Sequence, residues 1–413
     1  MTPPPTSPSC IPRRSSTAAD SIPPARMESL RHRSTRHPLS DSPDSRHFTI
    51  LDWNLFTTDT HNWDLFEAFS EARPAPKIYC NIALPEVAGH HEPNLVRRYR
   101  LHEYCNSGKR GFKFYASILV SSAHLFFKTP DLPPGLVKLQ DCSIRNIPAY
   151  WAMALLNPKC NFVFYFHTLN SRSIIRLGRA LGIWKKWNIR LACLDPSIGK
   201  SISDLAGTTV HSIPLAKTFP TSDDLPLPAS GRDFRITIPG AYRDNKCFKG
   251  FAAELARALG TPDLPDCRIT ANSDYWTVLE REPSFGPAMA RHAKIVADHP
   301  DRLEYVASVA SADLLILPYE PADYSCQISA IVEDAMALGV PFAIPSGTLS
   351  QRIHAALPTC LGFHPDHAGD LGDVIVRCQR DLRSLKKAAA GIARETRLQH
   401  DPQKVVDALF ALF

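Results

Sequence analysis

Residues 316–347 read ILPYEPADYSCQISAIVEDAMALGVPFAIPSG, and the order of textures in this stretch decides the fold. Leu314 to Leu317 is a short apolar run of the kind that forms a strand buried on both faces. Tyr319 to Tyr324 is a polar loop. Ile328, Ile331, Val332, Ala335 and Met336 recur at three- and four-residue spacing, which predicts a helix with one apolar face and with Glu333 and Asp334 away from it. Gly339 is placed to end that helix in a left-handed conformation, and Val340 to Ile344 is the next buried strand. Strand, helix and strand of this length form the crossover unit of a parallel sheet.

The same alternation extends through most of the chain. HFTILDW (47–53), KIYCNIAL (77–84), ASILVSS (116–122), LVKLQDC (136–142), NFVFYFHTL (161–169), IRLACLD (189–195) and TTVHSIPLA (208–216) read as strands. Helical patterns between them include 63–72, 147–156, 171–186 and 197–206. KTFPTSDDLPLPASG (217–231) has the Pro, Ser and Asp content of a connector between domains. Beyond it FRITIPGA starts a second α/β series with strands at 234–238 and 267–271, helices at 248–259 and 285–298, and helical patterns over 371–396 and 402–413. The expected organisation is a disordered Pro/Ser/Arg-rich tail over 1–46, a first Rossmann-like domain over 47–216, a linker over 217–231, a second Rossmann-like domain over 232–395 and a C-terminal helical segment over 396–413.

Composition narrows the classes. With 44% hydrophobic and 21% charged residues the chain can bury a substantial core. A formal charge of +6 suits an anionic ligand or surface, but no nucleic-acid recognition motif accompanies it. The 11 cysteines are scattered without a Cys-x-x-Cys pair, which points to reduced thiols rather than a disulfide framework or zinc site. No apolar stretch reaches the roughly 20 residues of a spanning helix, and the N-terminus lacks the apolar core of a secretory signal. A cytoplasmic protein is expected.

In a parallel sheet, ligands bind at the carboxyl ends of strands, beside helix N-termini. Ser325 or Ser329 is positioned to cap the 330–338 helix, leaving backbone N–H groups and the positive dipole end for a phosphate. Ala330 is small enough for an anion to approach the backbone, and either acid of the pair suits a sugar diol.

On these residues, ADLLILPYEPADY followed by SAIVEDAMALGVPFAIPSGT, the chain resembles the donor-binding domain of GT-B glycosyltransferases, in particular the retaining nucleotide-sugar-dependent group of the family 4-like exopolysaccharide and capsule type. The resemblance implies two Rossmann-like domains facing across a cleft. It assigns Asp334 to the ribose position, Ser329 and Ala330 to the pyrophosphate position, and Gly240, Arg243 and Lys246 of GAYRDNKCF to a Gly-x-x-Arg-x-x-Lys type turn that holds the diphosphate, with Lys249 as the substitute cation. Tyr319 and Cys326 fall in the donor loop. Cys326 stands where many members carry a glutamate that contacts the donor sugar, and Asp334 replaces a glutamate.

No Asp-x-Asp motif closes a strand, so the resemblance implies transfer with no cofactor and no metal site, the nucleotide-diphosphate sugar serving as co-substrate. The first domain would hold the acceptor. There His167 closes a buried strand and either orients or deprotonates an acceptor hydroxyl or is a hydrogen-bonded histidine at the core edge; Asp141, Arg145, His61 and Asn62 are weaker candidates of the same kind. Two basic stretches, 97–115 and 171–188, mix cations with aromatic and aliphatic residues and suit peripheral contact with an anionic membrane, although the second also fits an ordinary crossover helix.

The expected function is transfer of a hexose from a UDP- or GDP-linked donor to a saccharide or lipid-linked saccharide acceptor in surface polysaccharide synthesis. The alternatives are a sugar-nucleotide epimerase of the same fold and a catalytically degenerate glycan- or partner-binding module.

Overall fold

The structure of the protein, a computed structural model, describes residues 47–52, 61–81, 95–99, 120, 122–124, 127, 132–140, 142–143, 146–167, 172–219, 233–240, 242, 247–261, 264, 267–286 and 302–413. The expected tail (1–46) and most of the expected linker, residues 220–231, lie outside these residues.

Two parallel sheets carry the fold. The first joins β1 (Phe48–Leu51), β2 (Lys77–Asn81), β3 (Leu95–Tyr99), β4 (Leu136–Leu139), β5 (Asn161–Phe166), β6 (Ile189–Cys193) and β7 (Val210–Ser212) in the order β3-β2-β1-β4-β5-β6-β7. The second joins β8 (Phe234–Ile238), β9 (Cys267–Ala271), β10 (Leu314–Ile316), β11 (Phe342–Pro345) and β12 (Cys360–Phe363) in the order β12-β11-β10-β8-β9. Every pairing in both is parallel. Strand order reverses direction between β1 and β4 in the first sheet and between β8 and β10 in the second. In open α/β sheets the ligand crevice lies at such a reversal, beyond the carboxyl ends of the strands.

The helices of the first lobe are α1 (His61–Glu71), α2 (Ile147–Leu156), α3 (Arg172–Ala180) and α4 (Pro196–Ala206). Those that follow are α5 (Phe251–Leu259), α6 (Ser273–Leu279), α7 (Arg302–Ser311), α8 (Ala330–Leu338), α9 (Leu349–His354), α10 (Asp370–Arg380), α11 (Leu382–Gln399) and α12 (Pro402–Phe410). Sheet strands bury both faces, as β1, β4 and β10 show along their whole length.

Three sequence expectations change. The run 116–122 was expected to be a strand, yet Val120 and Ser122 to His124 are helical. The strand beside β2 is β3, an edge strand, where two arginines in the run are compatible with one open side of the ladder. The expected helix over 171–186 stops at Ala180, because Gly182 turns left-handed (φ 66°) before a short 3-10 turn at Ile183–Lys185. The helical pattern over 371–396 divides at Asp381 into α10 and α11.

The last helix returns to the first lobe. Val405, Val406 and Leu409 of α12 share a core with Phe48, Ile50, Phe66 and Phe69, and the rings of Phe48 and Phe410 meet edge to face at 5.9 Å. Gln403 pairs with the backbone of Arg73 in both directions at 2.9 Å. The chain therefore passes between the lobes twice, and the two passages are bonded together: Lys217 N–H donates to His400 O at 3.0 Å, and His400 Nδ1 bonds Leu215 O at 2.6 Å.

Candidate functional site

The second sheet's crevice is built by the loops after β8 and β10. Gly240 closes β8 at φ 81°, a backbone that a Cβ would strain. Phe248 N–H donates to Pro318 O at 2.9 Å and ties this turn to the β10 loop. Arg243 and Lys246, expected in that turn, lie outside the described residues; Lys249, just before α5, is exposed.

Ser329 is the cap of α8. Its backbone is extended (φ −96°, ψ 124°) and its hydroxyl accepts from Ile331 N–H at 3.3 Å. Ser325 belongs instead to the 3-10 turn Asp323–Cys326. The Ser329 hydroxyl also shares a 2.6 Å hydrogen bond with the phenol of buried Tyr319, whose ring stacks on Tyr324 at 4.1 Å and 6°. Burial pushes the Tyr319 phenol far up, so it stays a neutral donor or acceptor beside the helix terminus. Ala330 opens the helix. Gly339 ends it at φ 70° and packs against Ala389 and Ala393 of α11. What results is the capped N-terminus of a nine-residue helix following β10 at the strand-order reversal, the local chemistry of an anion seat.

The acids of α8 are not on an outer face, as the spacing had implied. Glu333 and Asp334 are both buried, and among the described residues one ammonium, that of Lys217, pairs with them. Lys217 Nζ donates to Asp334 Oδ1 at 2.9 Å and to Ala330 O at 3.3 Å, and lies 3.3 Å from Glu333 Oε2. That last contact is an ion pair without hydrogen-bond alignment, since Glu333 Oε2 has no hydrogen-bond partner. Tyr305 donates to Asp334 Oδ2 at 3.3 Å. Asp334 thus has both oxygens engaged by the protein.

Cys326 is half-buried and touches the other lobe. Its Sγ lies 3.9 Å from an Arg172 nitrogen at the start of α3. Arg352 holds the turn in place by donating to Ser325 O at 2.8 Å and Gly347 O at 2.6 Å. Leu349, with partly buried Cys326, Ile328 and Ile353, packs on the first lobe's core. Burial pushes His354 down, while the charges of Asp195 and Glu333, one from each lobe, oppose that shift.

The crevice of the first sheet lies between β1 and β4. Gln140 N–H donates to Leu51 O at 3.1 Å, which puts Asp52 and Gln140 side by side. His167, just beyond β5, shares a 2.7 Å hydrogen bond with Gln140. Beneath them Lys138 is buried, its Nζ between the rings of Phe69 and Tyr165 at 4.9 and 4.4 Å. Desolvation holds the Lys138 ammonium down to about 7 against the upward pull of Asp52 and Cys142. Of the weaker candidates, Asp141 and Arg145 lie outside the described residues, and His61 and Asn62 open α1. Lys138, Gln140, Lys217, Tyr305 and His354 carried no motif. Only the lone lysine in the apolar run LVKL was a visible oddity.

No protein-family model and no curated protein sequence matches the chain. Solved structures do. Sucrose-phosphate synthase from Thermosynechococcus elongatus superposes with a TM-score of 0.59 at 14% identity, over 89% of this chain and 100% of that one. OtsA gives 0.62 at 10% identity over 88% and 98%. Anabaena HepE, solved in complex with UDP, gives 0.56 at 12% identity over 89% and 98%. The class defined by this architecture is the GT-B fold: two Rossmann-like sheets, the form seen in these glycosyltransferase structures.

Two outcomes test the site. Lys217→Met removes the ammonium from beside two buried carboxylates and is expected to cost roughly 3–5 kcal/mol of stability, read from the urea midpoint; a midpoint equal to the wild type's would mean that these ion pairs add no net stability. Lys138, lowered to about 7 from an ordinary 10.5, leaves the folded chain with fewer bound protons than the unfolded chain above pH 7 or so. Stability from this group therefore climbs with pH from about 7 to 9, before the buried thiols of Cys193, Cys360 and Cys378, raised to about 11, 12 and 12, act in the opposite sense. Lys138→Met should flatten that climb, and an unchanged slope would exclude the group.

Proposed function

We propose that the protein is a glycosyltransferase that moves a hexose from a nucleotide-diphosphate sugar, UDP- or GDP-linked, to a saccharide or lipid-linked saccharide acceptor, in surface polysaccharide synthesis. The observation that carries this reading is the Ser329-capped α8 terminus at the β8/β10 reversal, an anion seat where an open α/β sheet binds its ligand. Support comes from HepE, whose structures include complexes with UDP and with UDP-glucose.

In this reading the diphosphate lies against Ser329, Ala330 and the Gly240 turn, and Arg243 and Lys246 neutralise the charge that grows on the leaving group. Tyr319 and Cys326 border the sugar. The bond from the anomeric carbon to the phosphate oxygen breaks, the acceptor oxygen bonds that carbon, and the acceptor's proton passes to the leaving phosphate. Transfer needs no metal or other cofactor here, because fixed cations and the helix terminus do that electrostatic work. Asp334 reaches a ribose only by giving up Lys217 or Tyr305, and this favours one second reading, a module that binds a glycan or partner without turnover.

A cytoplasmic protein resting on the inner face of a membrane is the proposed setting. No helix among the described residues is long and apolar enough to cross a membrane. From Cys142 to Leu194 the chain has no Asp or Glu. Within it Leu155, Leu156, Leu177, Leu181 and Trp187 are exposed beside exposed Lys159, Arg176, Lys185 and Lys186. Asn188 donates to Ala154 O at 3.1 Å and brings the end of α2 to the Trp187 segment. Apolar residues rimmed by cations match an anionic lipid surface.

Titration calorimetry with UDP, GDP, ADP and dTDP in EDTA tests the donor site. One nucleotide should bind saturably, and Arg243→Ala or Lys246→Ala should each weaken it by about 1.5–3 kcal/mol. No binding of any of the four to folded protein would sink the donor reading. Binding without turnover would establish the second one. For the membrane, flotation with anionic vesicles at low salt should carry the protein upward and neutral vesicles should not; protein left at the bottom with both would remove that setting.

A further inference from the structure

Lys138, Gln140 and His167 form a chain at the strand-order reversal of the first sheet, and its polarity can be read from one end to the other. Lys138 Nζ donates to Gln140 Oε1. As an ammonium it is a donor only, so the amide must turn its oxygen to Lys138 and its nitrogen to His167. The amide nitrogen is likewise a donor only, and it lies 2.7 Å from His167 Nε2. That ring nitrogen must then accept, which puts the imidazole's proton on Nδ1.

We propose that Lys138, acting through Gln140, locks His167 in its neutral Nδ1–H form, so that in sugar transfer the ring has no lone pair with which to act as a base. The one ring lone pair able to take a proton is already held by Gln140. Lys138 and Gln140 are positioning residues, and their surroundings maintain the ammonium: the faces of Phe69 and Tyr165 flank Nζ, and Asp52 supplies opposite charge. Among the described residues, the titratable groups facing Lys138 are Asp52, Cys142 and Tyr165. The lock holds below about pH 7; once Lys138 loses its proton its nitrogen can accept, and the amide is free to turn over. The role toward a sugar rests on the glycosyl-transfer reading, whereas the lock itself does not.

Two-bond 1H–15N correlation spectra of the imidazoles, recorded on the full chain at pH 6 with His167 assigned from its loss in His167→Asn, test the lock directly. The wild type should show the Nδ1–H form. Gln140→Glu, which presents only acceptors, should move the proton to Nε2, and Lys138→Met should give a mixture of the two forms. A wild-type His167 protonated on Nε2, or a Lys138→Met spectrum that keeps the pure Nδ1–H form, would overturn the proposal. These spectra need no substrate, so absence of turnover would count against the transferase reading alone. With a donor that turns over, Gln140→Glu should lower kcat on the order of tenfold with donor KM nearly unchanged; a raised KM at constant kcat would also count against the lock.

Discussion

One ammonium ties the architecture together. Lys217 leaves the first lobe at the end of its sheet and buries its charge beneath α8, against two carboxylates and a carbonyl of that helix. Taking three charges out of water costs several kcal/mol per ion unless they compensate one another. The first lobe's exit segment and α8 are therefore mutually dependent: Lys217 compensates two like charges in the interior of the helix, and the acids compensate the buried cation of the exit segment. The backbone bonds from Lys217 and Leu215 to His400 add the chain's return passage to the same point.

This constraint sets where the chemistry can be. With the exit segment fixed beneath α8, the Arg172–Cys326 contact and the packing of Leu349 on the first core close the lobes along one side. Burial pushes the Tyr165 phenol of β5 up, and the Glu333 carboxylate adds to that shift. An anion seat on one lobe and a hydrogen-bonding cluster on the other is an arrangement suited to joining a charged donor to a polar acceptor. It also gives the two acids of α8 a structural duty, while the Tyr319–Ser329 pair stands at the helix terminus.

Much of this was legible in the chain. The β10–α8–β11 unit, the left-handed Gly339 and a serine cap follow from local sterics and hydrogen bonding, which act over a few residues and leave their mark at fixed spacing. The edge strand β3 was not legible, because its arginines resemble a surface stretch until β2 is there to pair with it. The burial of Glu333 and Asp334 was hidden for a similar reason. Periodicity reads acids as outward unless a cation is known to meet them, and that cation is more than a hundred residues away.

The sequence by itself determined the α/β alternation, the two successive sheets and the helix terminus expected to face a phosphate, since each is written in residues that are near neighbours along the chain. Tertiary structure alone decided which charges are paired, that α12 returns to the first lobe, and that Lys138, Gln140 and His167 form one hydrogen-bonded line. Those outcomes depend on desolvation and on donor–acceptor matching between distant segments, and a buried charge shows its partner only when the chain has folded around both.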